Sequence, residues 1–367
     1  MQDGTSHTVS VSELAQEPRH ALNEMQQRGV SFQGVFVNDW SEDLNNSSSG
    51  FGRYSLDLGL TLDGKKALRW SGTSAYVRLK QHINEFGDIR SDAAQVVSNI
   101  DATPRTTLYE LWLQQTLLSQ RLRIKFGKID ANTEFDQVQS ASDFLNSSMG
   151  YSPTIMAFPS YPEPKLAAVA SYSWRRSDQI GLGVFRTVGA GILTIAEPGH
   201  SWSIRKYDLP GHLSVGYWRL TGSLQRLNGS HSAMTQGVYS VFEQAVWRQA
   251  LKRSNGERSL SAFFQFGHSD RVMCDLTEHV GAGAVLQGPF SVRGQDSVGV
   301  AFTGVQFSRY GNAGEERHNE SVMESYYKFA ISSKVSFIDD FQLVLHPGGL
   351  RPVRNYLIFT PRVVISF

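Results

Sequence analysis

The residues in this chain with chemistry to offer are charged and aromatic groups set at alternate positions. Arg53 and Asp57, Arg78, Glu110 with Trp112, Arg123 with Lys125, Glu324 with Tyr326 and Lys328, and Arg362 fall on the polar side of stretches that alternate polar and apolar residues. Side chains two apart on an extended strand share a face, so each group is a short column of donors and acceptors. Such columns hold and release a polar solute; they are not arranged to make or break bonds. Ser, His and Asp all occur, but there is neither a Gly-x-Ser-x-Gly elbow nor a His-Glu-x-x-His zinc motif. The lone Cys274 excludes an intrachain disulfide and a cysteine-based metal site. No catalytic residue, cofactor or metal is expected.

The elements that position these groups read as strands. Tyr54, Leu56, Leu58, Leu60 and Leu62 form one face of a segment whose other face is Arg53, Ser55, Asp57, Gly59 and Thr61. Leu122, Ile124 and Phe126 oppose Arg121, Arg123 and Lys125, while Tyr109, Leu111, Leu113 and Leu117 oppose Glu110, Trp112, Gln114 and Thr116. The chain ends on the same theme, with Leu357, Phe359, Pro361, Val363, Ile365 and Phe367 alternating with Tyr356, Ile358, Thr360, Arg362, Val364 and Ser366. One such strand also suits a soluble antiparallel sheet. Repetition along the whole chain, with segments of about ten residues, is the pattern of a transmembrane barrel.

Bulk properties agree. The 367 residues carry a formal net charge of +1, which gives no electrostatic footprint for a nucleic-acid partner. Mean hydropathy is −0.28, and no run approaches the roughly 18 to 20 apolar residues of a membrane-spanning helix. A closed barrel reconciles low mean hydropathy with a membrane, because faces alternate and every backbone group is paired.

Strands are predicted near 31–40, 52–62, 69–80, 106–117, 120–129, 165–174, 178–187, 192–202, 210–221, 236–249, 258–268, 278–288, 296–308, 320–332, 335–346 and 355–367. An even number places both termini on one side. Asp63 to Lys66, Leu118-Ser119 and Ser333-Lys334 read as tight turns, whereas 41–51, 81–105, 130–164, 222–235 and 309–319 read as long loops on the outer side. Before the first strand, Ser12 caps a helical stretch reaching Gln27, with Gly29 as its stop. Met1 to Thr5 reads as a mature terminus behind an initiator Met, its export leader removed.

One stretch breaks the strand pattern. From Gly127 to Pro164 the chain is long and irregular, yet Phe135, Phe144, Leu145, Met149, Tyr151, Ile155, Met156, Phe158 and Tyr161 make it too apolar for a solvated tether. It must pack on something, and the neighbouring strands are nearest. Its blocks Gly127-Lys128-Ile129-Asp130-Ala131-Asn132-Thr133-Glu134-Phe135, Phe144 to Gly150, and Phe158-Pro159-Ser160-Tyr161-Pro162-Glu163-Pro164 resemble the GKxDxNxxF, FLNSS and FPSYPxP blocks of the OprB-type carbohydrate-selective outer-membrane porins. Glu324 to Phe329 and Asp340 to Gly349 extend the resemblance over most of the chain after about residue 50. At the front, where the family has a DWGG-R block, this chain has Asn38-Asp39-Trp40 followed by Ser41-Glu42.

The resemblance implies an all-β transmembrane antiparallel barrel of about sixteen strands, with an infolded long extracellular loop, in the bacterial outer membrane. Residues 1–29 are then a periplasmic segment with a short helix and 30–367 the barrel, with the constriction loop at about 130–164. It implies passive diffusion of monosaccharides or small polyols through a polar, aromatic-lined pore; the alternative is the outer-membrane barrel of an exopolysaccharide export assembly. Sugar hydroxyls use both donors and acceptors, and Trp112 or Tyr326 can cover the apolar side of a ring. These inward charges either pair along the wall or share a narrow zone, for which Arg123, Glu110 and the loop pair Asp130 and Asn132 are best placed. In that zone Arg123 and Lys125 are expected to hold the solute opposite Glu110 and Trp112, unless Arg123 merely neutralises Glu110. Expected partners are small carbohydrate solutes, outer-membrane lipids, the barrel-assembly machinery reading the terminal Phe367, and either further copies in a homotrimer or a periplasmic partner at the N-terminal helix.

Overall fold

The computed structural model describes residues 22–45, 50–84, 92–250, 257–290, 292–310 and 317–367. In chain order the strands are β1 (Val30–Asp43), β2 (Phe51–Asp63), β3 (Thr73–Asn84), β4 (Arg105–Leu117), β5 (Leu122–Ile129), β6 (Lys165–Ser173), β7 (Asp178–Arg186), β8 (Ile192–Ile204), β9 (Leu209–Gln225), β10 (His231–Ala250), β11 (Glu257–Ser269), β12 (Leu276–Gln287), β13 (Ser297–Phe307), β14 (Asn319–Ala330), β15 (Val335–Leu345) and β16 (Tyr356–Ser366). Each pairs antiparallel with the next, and β1 closes on β16 with Asp39 opposite Arg362. The ladder has no edge, so no row of backbone groups is left unpaired in hydrocarbon.

The barrel is inside out relative to a soluble protein. Leu111, Leu113 and Phe126 are 50, 54 and 59% exposed, while Asp39, Arg53 and Ser55 are at most 1% exposed. Alternation therefore sends apolar side chains to the lipid and polar ones inward, where they meet two segments from the end opposite the termini. Residues 92–104, between β3 and β4, lie against the wall at β14–β16: Val97 clusters with Val322, Val344, Tyr356 and Ile358. Residues 130–164, between β5 and β6, cross the interior. Phe135 and Ile155 cluster with Phe185, Trp218 and Tyr239, and Phe144, Leu145 and Met149 cluster with Val241, Phe263 and Tyr326. The apolar cores are thus built between infolded segments and the inner wall.

Glycine makes room for that docking. A side chain at Gly183 would come within 2.6 Å of both Phe135 and Phe185, and one at Gly299 within 2.8 Å of Phe144. Phe135 stands edge-on to Phe185 and Phe144 edge-on to Tyr326, with centroids 6.0 and 4.8 Å apart.

Four expectations are corrected. The pairing shifts by one residue between Arg78 and Leu79, whose partners are Glu110 and Leu108. A bulge at this point turns Tyr109 and Glu110 to the same side, so Tyr109 leaves the leucine face and is buried inside at 1% exposure. Residues 222–235 are not a long loop: β9 runs to Gln225, β10 begins at His231, and only 226–230 connect them. Above the lipid a strand needs no apolar face, so alternation fades there while pairing continues. Asp63 to Lys66 is not a tight turn; the Asp63 carboxylate caps a helix over Gly64–Leu68, accepting from the amides of Lys65 and Lys66 at 2.9 and 3.2 Å, which delays β3 to Thr73. The loop 81–105 does not stay outside, since its second half folds in. Of the N-terminal helix, residues 22–27 are helical and Gly29 follows with φ 86°, while the expected start at Ser12 lies outside the described residues.

Candidate functional site

The crossing segment is folded by its own polar residues. Asp130 caps a 3-10 turn over Ala131–Thr133: one carboxylate oxygen accepts from the Asn132 amide at 3.0 Å and the Ser160 hydroxyl at 2.7 Å, the other from the Tyr109 hydroxyl at 2.5 Å. Asn132 spends its side-chain amide on the carbonyls of Phe135 and Asp136, at 3.3 and 3.0 Å. Further along, Asn146 caps the turn Ser147–Gly150 by accepting from the Ser148 amide at 3.0 Å. Each cap satisfies a backbone donor at the start of its own turn.

Three expected pore residues turn out to anchor this segment. Glu324 accepts from the amides of Leu145 and Asn146, at 2.5 and 3.2 Å. Tyr326 is the wall against which Phe144 packs, and Lys328 binds Asp143 at 2.7 Å. They face inward, as alternation requires, but their partners are the segment itself. Arg362 and Arg53 serve the β3–β4 segment in the same way. Arg362 forks onto Asp39 at 2.6 and 2.8 Å and donates to Ser98 at 3.0 Å. Arg53 lies 3.5 Å from Asp101 and 3.7 Å from Asp39.

What remains is one charged wall on β2–β5. Arg78 binds Asp57 at 2.8 Å and reaches Glu110 at 3.5 Å; Lys80 binds the other oxygen of Asp57 at 3.1 Å. Both cations stand over aromatic faces, Arg78 4.9 Å from the Tyr109 centroid and Lys80 4.7 Å from that of Tyr161. Nearer the termini, Glu134 of the crossing segment binds Arg123 at 2.7 Å with one oxygen and Lys125 with the other. Lys125 also sits 4.1 Å above the Trp112 ring.

This changes the setting expected for Arg123. The β4–β5 register sets Arg123 opposite Thr116, and Trp112 opposite Gly127, so Glu110 lies rows away at the far end of the pair. The carboxylate that Arg123 binds is Glu134 of the loop, not Glu110.

Two cavities, each of about 430 Å³, flank the crossing segment. On the side away from the termini, Arg78, Lys80, Tyr109, Asp130, Asn132 and Tyr161 line one together with Asn99 and Ser142. On the side towards the termini, Glu134, Gln179, Glu197, His212, Glu243 and Ser261 line the other. Gln137 and Gln139 border both. The first cavity is cationic and aromatic and the second is acidic and amide-rich, so a solute moving between them exchanges donors for acceptors at two glutamines.

Lys80, Tyr109, Glu134, Gln137, Gln139 and Tyr161 are among the cavity residues that the alternation did not single out. Lys80 shares the parity of Arg78, and extending that alternation by one step finds it. Glu134 lies within the quoted block beginning at Gly127. Tyr109 is hidden by the bulge.

Asp136 is the one acid in the crossing segment that is incompletely satisfied. One oxygen accepts from the Ser152 amide at 2.6 Å, the other has no partner among the described residues, and burial, with Glu197 nearby, pushes the carboxyl up to about 8. Its own amide donates to Glu197 at 2.9 Å, which also accepts from Tyr239 at 2.7 Å.

The sequence model of the family described as carbohydrate-selective porin, OprB family, matches residues 52–367. Porin B of Pseudomonas aeruginosa is 21% identical over 397 aligned residues, covering 91% of this chain and 87% of that protein. The high-pH structure of Pseudomonas putida OprB superposes with a TM-score of 0.86 at 19% identity, over 96% of this chain and 97% of that one. The low-pH structure of the same protein matches over the same shares at 19% identity with a TM-score of 0.67. These structural likenesses establish the shared barrel fold.

Proposed function

The chain belongs to the carbohydrate-selective porins of the OprB family, and from that premise we propose a route and a selection mechanism for its solute. The protein is a bacterial outer-membrane channel through which carbohydrates diffuse passively, a transport channel rather than an enzyme. The solute enters from outside into the cavity at Arg78, Lys80, Tyr109 and Tyr161, passes Gln137 and Gln139, and leaves through the cavity at Gln179, His212 and Glu243. The observation that carries this reading is the pair of cavities meeting at the same two glutamines.

Selection follows from the lining. A neutral polyol finds guanidinium and ammonium donors, carboxylate and amide acceptors, and aromatic faces for the apolar side of its ring. The cations are already paired, so an ion gains less from them than from water, while a hydroxyl can share an existing hydrogen bond. Conduction needs binding that is favourable but shallow, and partly engaged side chains provide it. Segment 130–164 limits the solute to monosaccharides or small polyols. The family match and a segment crossing the interior both support this over polymer export, which needs an open lumen. Residues 1–29 are assigned to the periplasmic side and 30–367 to the barrel.

Liposome swelling tests the route. Arg78→Ala and Lys80→Ala should change glucose entry relative to a non-sugar solute of similar size, and equal changes for both solutes would remove these residues from the recognition path.

A further inference from the structure

We propose that the extracellular rim of β4–β6 is a binding site for the phosphate group of an outer-leaflet lipid. The site lies at the rim, away from the solute route: Lys128 holds an outward position, while Arg105 and Lys165 hold inward ones opposite buried His82 and Ile129. Lys128 is the penultimate residue of β5 and shares the outward face of Phe126 and Ile124, which are 59 and 41% exposed. Its neighbours in the ladder are Leu111 on β4 and Leu166 on β6, themselves 50 and 46% exposed. A lysine thus stands in a row of lipid-facing leucines.

A charge on that face costs about 2 to 4 kcal/mol at the bilayer midplane and close to nothing at the interface, so Lys128 belongs at headgroup level. Its ammonium donates to the Leu108 carbonyl, which holds it flat on the outer surface at 2.5 Å. No carboxylate lies against it among the described residues.

Directly beyond it, a cavity of about 270 Å³ is lined by Lys128, Arg105, Lys165, Thr107, Glu163 and Leu166. Three cations share one carboxylate there. Lys165 binds Glu163 at 2.8 Å and Arg105 binds its other oxygen, and together they hold the Glu163 carboxyl down to about 2. Counting Arg105, Lys128 and Lys165 against ionised Glu163 leaves the pocket with an excess of two positive charges. Coulombic repulsion among these cations is relieved by an anion with several acceptor oxygens, and a phosphate monoester carries three.

The same sign continues round the rim. Arg186 on β7 and Arg219 on β9 are exposed on the outward face of the extracellular halves of their strands. On the outward positions of these halves of β4–β9, every formal charge is positive. Apolar belt below and cations above match a lipid whose acyl chains lie along the leucines and whose phosphate reaches the pocket. A soluble anion would have no use for that belt, so the lipid is the assigned occupant.

The test uses the full chain in detergent and native mass spectrometry. Bisphosphorylated lipid A is the probe, with its fully dephosphorylated form as the control. The wild type should retain the phosphorylated lipid, and a Lys128→Gln/Lys165→Gln double variant should retain at least tenfold less while keeping its heat-modifiable migration. Equal retention by the variant would overturn the proposal. Equal retention of the dephosphorylated lipid by the wild type would overturn it independently of the variant's folding. Full displacement by millimolar inorganic phosphate would assign the pocket to a free anion and overturn the lipid assignment.

Discussion

Glu134 of the crossing segment and Arg123 of the barrel wall meet at 2.7 Å, and Lys125 takes the carboxylate's other oxygen. The Glu134 side chain is 2% exposed and that of Lys125 8%, so two wall cations depend on one buried anion supplied by a loop. Removing one partner of such a group leaves charge without compensation in a poor solvent, at a cost of about 3 kcal/mol or more. Glu134→Gln should therefore lower the melting temperature and shift the channel towards anions. Reversal potential in a potassium chloride gradient reads the second effect; an unchanged potential in a folded variant would mean that these cations do not face the conducting path.

Phe135 is the apolar anchor of the same segment, buried at 1% exposure over Gly181 and Gly183. Phe135→Ala should weaken docking by about 3 to 5 kcal/mol and Gly183→Val should displace the ring by occupying its place. Both variants should raise single-channel conductance without abolishing the barrel. If conductance stays at the wild-type level in both, the segment does not limit the pore.

The buried acid Asp136 gives the docking a pH dependence whose sign is fixed. Its carboxyl titrates near 8 when docked against an ordinary value of 3.8. A raised value means the docked form is favoured most below about 3.8, and the advantage is lost as pH rises towards 8, at about 1.4 kcal/mol per unit at most. Conductance fluctuations from segment opening should accordingly increase between pH 5 and pH 8. Asp136→Asn should flatten that dependence, and a wild-type channel equally quiet at both values would contradict it.

Much of this architecture is legible in the sequence, for a physical reason. Lipid on one side and water on the other impose strict alternation, so Arg53, Asp57, Lys125, Glu324 and Arg362 can be assigned inward by counting. Counting stops working where the ladder slips, and Tyr109 is placed wrongly because a bulge reverses its side. It also says nothing of what an inward side chain meets. Glu324, Tyr326 and Lys328 meet the middle of the crossing segment, a partner about 180 residues away in sequence that no periodicity encodes. The apolar content of 130–164 announces a packed segment, whereas the inward fold of 92–104 rests on few residues, chiefly Val97 and Ile100, within a polar stretch.

The central claim is that solute passes beside Gln137 and Gln139, where the two cavities meet. Cysteine placed at Gln139, whose side chain is exposed, tests it directly in a Cys274→Ser background, since the native thiol is buried. Single-channel recording during reaction with a bulky thiol reagent should show a stepwise fall in conductance, and glucose entry into liposomes should fall with it. Complete modification, verified by mass, with conductance and glucose entry unchanged would place the route elsewhere.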